Sequence, residues 1–138
     1  MSLTARFPSS DSRVALAKRL GLPYSSEMQD WEWEVADRDR FDEFIACYDA
    51  AELTEGERFS LMEILVQCVE DLHHTPGFAL ARQQLEQRLS ARMTLHRPTV
   101  QYWALQDNAR SAEQFYVTPL MRQLLVQVGA ASGSRNDA

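Results

Sequence analysis

The sequence has little of what covalent catalysis, phosphate binding or membrane insertion requires. Its two cysteines, Cys47 and Cys68, lie in apolar helical patterns, where a thiol behaves as a small hydrophobe. Its five glycines are scattered and form no phosphate-binding turn. It contains no Gly-x-Ser-x-Gly elbow, no apolar run of signal-peptide type and none that would span a bilayer. We expect a soluble, cytoplasmic protein without a cofactor and without membrane partners.

Lysine is almost missing as well, since Lys18 is the one lysine among 14 basic residues, against 20 acidic ones. Residues 27–71 hold 15 acidic and 3 basic residues, a net charge of −12, whereas residues 1–26 and 72–138 each carry +3. Arginine pairs with carboxylates through a forked geometry, so we expect part of this acidic block to be neutralised internally. The remainder should repel nucleic acid and attract basic proteins.

What the sequence does contain is one very apolar helical pattern, over residues 54–72. Thr54 and Glu57 have the spacing of a capping box, which predicts the start of the helix. Apolar residues then cover most of the circumference and leave only a narrow polar strip, formed by Glu63, Gln67 and Glu70. Such a helix has neighbours on most sides, and we predict it to be the central buried helix of the fold.

The rest of the chain predicts a mainly α protein, a single-domain bundle of about five helices over residues 9–129. Residues 1–8 are expected to be an extension, and residues 130–138 a disordered tail. Residues 94–118 have two interpretations. A small β-hairpin near residues 99–117 is slightly favoured by Val100, Tyr102 and Trp103, and the alternative is a helix that begins at Pro98.

An acidic stretch with two tryptophans precedes the central helix. Strict alternation over residues 31–35 predicts an extended segment with Trp31 and Trp33 on one face and Glu32 and Glu34 on the other. The simpler interpretation is that the tryptophans bury a linker against the core, and the alternative is a stacking platform for a partner. The candidate partner-binding residues are Trp31, Glu32, Trp33, Glu34, Asp39, Asp42 and Glu43.

Three functions remain compatible with this pattern. The leading hypothesis is a non-enzymatic domain whose acidic face, residues 30–57, engages a basic protein, as an antitoxin or immunity-type inhibitor of a basic toxin or nuclease does. The second is a metal-binding protein or enzyme that uses Glu70, His73 and His74, although the second ligand-bearing helix of a di-iron site is not found in the sequence. The third is a homodimer joined by exposed tryptophans.

Overall fold

The computed structural model describes residues 9–50, 52–105 and 114–137, with side chains up to Val128, and within these ranges it is mainly helical and contains no strand. The elements are α1 (Ser10–Leu20), α2 (Trp31–Glu34), a 3₁₀ turn (Arg38–Arg40), α3 (Phe41–Asp49), α4 (Glu55–Asp71), α5 (Phe78–Ala91), α6 (Met93–Trp103) and α7 (Thr118–Asp137). The mainly α class is therefore confirmed. None of the helices that the structure describes is both long and apolar enough to cross a membrane.

The chain divides between Leu72 and His73 into two compact units. The first contains α1 to α4 and the second contains α5 to α7. The single folding domain over residues 9–129 stays a prediction, and the predicted extension, residues 1–8, lies outside the described residues. The predicted disorder of residues 130–138 also stays a prediction, because the described side chains end at Val128. The backbone of α7 continues to Asp137.

In the first unit, α4 contacts every other helical element, namely α1, α2, the 3₁₀ turn and α3. Its predicted capping box is present: Thr54 Oγ1 accepts a hydrogen bond from the Glu57 amide at 3.0 Å, and Glu57 Oε1 accepts one from the Thr54 amide at 3.1 Å. Ten of its 17 residues are buried, including Phe59, Met62 and Leu65. Since each large apolar side chain stabilises the fold by about 1.5 to 3 kcal/mol on full burial, α4 contributes more to the core of this unit than any other element.

The two helices beside α4 follow their apolar patterns with one exception. The buried residues of α3 are Phe41, Phe44, Ile45 and Tyr48, the face that the sequence predicts. The spacing of Val14, Ala17 and Leu20 predicts that these residues face inward in the first helix. In α1, Leu16, Ala17 and Leu20 are buried, whereas Val14 is 44% exposed. Val14 is exposed because a different side of α1 from the one the pattern predicts packs against α4. Leu16 takes the inward position, and Val14, two residues earlier, is turned towards solvent.

The sequence predicts that Gly21, which follows Lys18 and Arg19, ends the first helix. It does end α1, in the left-handed conformation with φ of 66° and ψ of 40°. Its amide bonds back to the carbonyl of Ala17. A β-carbon at this position would meet no atom within 4 Å, so the cost of any larger residue is conformational rather than steric. Gly21 is therefore required for its backbone and not for space.

The second unit corrects the interpretation of residues 94–118. Residues 99–103, where the hairpin was favoured, lie in α6, and Pro98 is inside that helix rather than at its start. Five side chains of α6 are buried at helical spacing, namely Leu95, His96, Thr99, Val100 and Trp103. Strand preference reflects burial on a pleated surface, and the same Val and Trp side chains bury equally well on one face of a helix. Residues 106–113, the predicted turn of the hairpin, lie outside the described residues.

Thr118 joins the end of α6 to the start of α7. Its hydroxyl donates a hydrogen bond to the Trp103 carbonyl at 2.8 Å and accepts one from the Phe115 amide at 3.1 Å, and the residue is fully buried. The Thr118–Pro119 pair predicts a cap and a first-turn proline for the last helix. In the structure α7 begins at Thr118 itself, and the bonds of the Thr118 hydroxyl are to the Phe115 amide and to a carbonyl at the end of the preceding helix.

The left-handed backbone of Gly21 gives a direct test. We expect Gly21→Ala to lower the free energy of unfolding by about 1 kcal/mol, because an L side chain is strained at this φ. Gly21→Asn should lose less, since asparagine tolerates the left-handed region. Urea unfolding of the three proteins measures both values, and equal losses for Ala and Asn would contradict a conformational origin.

The Thr118 hydroxyl gives a second test. We expect Thr118→Val to lower the free energy of unfolding by about 1 to 3 kcal/mol, because it leaves a part-buried amide and a buried carbonyl without their partner. The matched control is Thr94→Val, on the exposed side of α6, which should change stability by no more than about 0.5 kcal/mol. A Thr118→Val protein as stable as its control would show that water replaces the hydroxyl.

Candidate functional site

A groove of about 610 Å³ opens on the surface of the first unit. One side is formed by the chain that leaves α1, the other by the link from α2 to α3, and the end of α4 closes it. Its lining residues are Gly21, Leu22, Pro23, Glu34, Val35, Ala36, Asp37, Arg38, Asp39, Arg40 and Asp71. Four of these residues are acidic and two are basic, so the groove carries a net negative charge.

The first two residues of the predicted acidic and aromatic surface are inside the fold. Residues 31–34 form a short helix rather than an extended segment, so the predicted alternation of faces is wrong. Trp31 is fully buried, and its indole N–H donates to the Pro23 carbonyl at 2.6 Å. The simpler interpretation of the tryptophans is the one that this burial supports: Trp31 anchors the chain that enters α2.

Glu32 is also buried, at 4% exposure, and forms a forked ion pair with Arg13 of α1. The Nε–Oε2 distance is 2.9 Å and the Nη2–Oε1 distance is 2.8 Å. A carboxylate leaves water at a large cost unless it is paired in this way. Glu32 therefore joins α1 to α2, and it is placed where a partner does not reach it.

The remaining predicted site residues lie nearer the surface. Trp33 is half-buried, and its indole N–H donates to Glu63 Oε1 at 3.2 Å. Glu34 and Asp39 are exposed on the groove. Asp42 and Glu43 are exposed on the first turn of α3, outside the groove lining. Five of the seven predicted residues therefore have some surface, but the two tryptophans do not form an exposed platform.

Ion pairs neutralise few of these carboxylates. Glu43 is held by Arg40 through bonds of 2.8 and 2.7 Å, and this pair lowers the pKa of the Glu43 carboxyl below its ordinary value. Within the described residues, Glu34, Asp39 and Asp42 form no ion pair. The expected internal neutralisation of the acidic block is therefore local, and the negative charge of the groove remains open to solvent.

Many of the arginines bind backbone carbonyls instead. Arg38 donates to the Asp71 carbonyl at the end of α4, at 2.8 Å, and Arg40 donates to the Leu20 carbonyl at the end of α1, at 2.6 Å. Both residues line the groove, so its cations are already used by helix ends. From the sequence we expected the arginines to pair with carboxylates. The excess of arginine over lysine could have indicated bonds to helix ends, because a guanidinium group binds the free carbonyls there better than an ammonium group does.

The cysteines carry no sign of chemical activation. Burial raises the pKa of Cys68 to about 12 and raises the pKa of Cys47 above its ordinary value. A nucleophilic or metal-binding cysteine needs a lowered pKa, which favours the thiolate. Cys47 belongs to α3, and Cys68 is buried in α4 beside Asp37 and Asp71 of the groove lining.

Two of the metal-binding candidates, His73 and His74, contact each other and the same tyrosine. Among the residues that the structure describes, no group of three histidine, cysteine, aspartate or glutamate side chains is placed to hold a metal ion. His73 stacks on Tyr116 with ring centroids 4.0 Å apart and planes 4° apart, and His74 meets Tyr116 edge-on at 5.2 Å. Glu70 lies on the last turn of α4, and His96 is buried on α6. Metal binding through Glu70, His73 and His74 stays a prediction of the sequence.

Comparison of the chain with protein-family models, with curated proteins and with solved structures returns no match. The function has to be argued from the groove and its charges alone.

The raised pKa values of the thiols give a third test. At pH 8 we expect a thiol reagent to modify Cys47, which is partly exposed, more slowly than a free cysteine, and Cys68 only as fast as the protein unfolds. Because the pKa of Cys68 is higher in the folded state, its contribution to stability is complete below the ordinary thiol value of 9.0 and is lost as the pH rises towards about 12. Rapid modification of both thiols in the native protein would contradict this burial.

Proposed function

We propose that the first unit is a protein-binding domain that engages a basic partner through its acidic groove, defined here by Glu34, Asp37, Asp39 and Asp71. One observation carries the proposal: the exposed carboxylates Glu34 and Asp39 line a groove and form no ion pair within the described residues, because the groove's own arginines are bonded to helix ends and to Glu43. A groove with this charge recognises arginine or lysine side chains of a partner.

The sign of the charge also favours a protein over a nucleic acid as the partner. Residues 27–71 carry a net charge of −12, which repels phosphates and accelerates the encounter with a basic surface. An antitoxin or immunity-type protein that covers the basic cleft of a toxin or nuclease is one role that fits this character. The comparison rests on the acidic charge alone, so the partner has to be identified by experiment.

The groove predicts which carboxylates matter for binding. The probe is a fluorescently labelled oligo-arginine peptide, titrated at about 10 mM and about 1 M salt. We expect the wild-type protein to bind at low salt only, and the double variant Glu34→Lys/Asp39→Lys to bind about tenfold more weakly or worse. Glu32 is left unchanged, because its loss would break the ion pair with Arg13.

The matched control is Glu27→Lys/Glu52→Lys, which changes the net charge equally at two exposed positions outside the groove. Circular dichroism checks that both variants keep the helical content of the wild type. If the two variants weaken peptide binding equally, the attraction is a property of net charge and the groove assignment fails. A basic protein captured from lysate at low salt and released at high salt would then name the natural partner of a groove that has passed this test.

A further inference from the structure

We draw no further inference here: the strongest candidate, the uncharged, solvent-exposed face of α5 formed by Leu80, Gln83, Gln87 and Ala91, is a helix face without a packing partner among the described residues, and nothing in the structure shows what covers it.

Discussion

The packing of this protein depends on guanidinium groups that close the C-termini of its helices. Arg40 bonds to the end of α1, Arg58 to the Tyr48 carbonyl at the end of α3, Arg38 to the end of α4 and Arg122 to the Ala104 carbonyl that follows α6. The last four carbonyls of a helix have no partner within it, and most of these helices are too short to be stable alone. Each arginine supplies a partner and a positive charge at the negative end of the helix dipole.

This use of arginine explains the unbalanced surface of the first unit. The ion pairs found there among described residues are Arg13 with Glu32 and Arg40 with Glu43, while Arg38 and Arg58 bond to carbonyls. Arg58 is 7% exposed and its guanidinium lies 5.1 Å from the centre of the Tyr48 ring, so it neutralises no surface carboxylate. The acidic block stays exposed because the cations that would neutralise it are needed by the fold.

The sequence predicted the elements whose signals are local and agree with each other. In α4, the capping box and the apolar pattern both indicate a helix, and in α3 the pattern alone identifies the buried face. The prediction of secondary structure was wrong where the same residues suit either a strand or a helix. Val100 and Trp103 suit a buried strand or a buried helix face, and α6 is short and contains a proline, which removes the usual evidence for a helix.

The acidic and aromatic stretch failed for a different reason. Five alternating residues fit a strand, but Trp31 needs a buried site for its ring and the Pro23 carbonyl for its N–H, and Glu32 needs Arg13. Pro23 lies eight residues from Trp31 and Arg13 lies 19 residues from Glu32, so no local sequence pattern predicts these contacts. The sequence therefore predicted the negative charge of this stretch, whereas it did not predict the burial of Glu32. The carboxylates that remain on the groove, Glu34 and Asp39, are those for which the fold supplies no cation, and charge density alone does not separate them from Glu32.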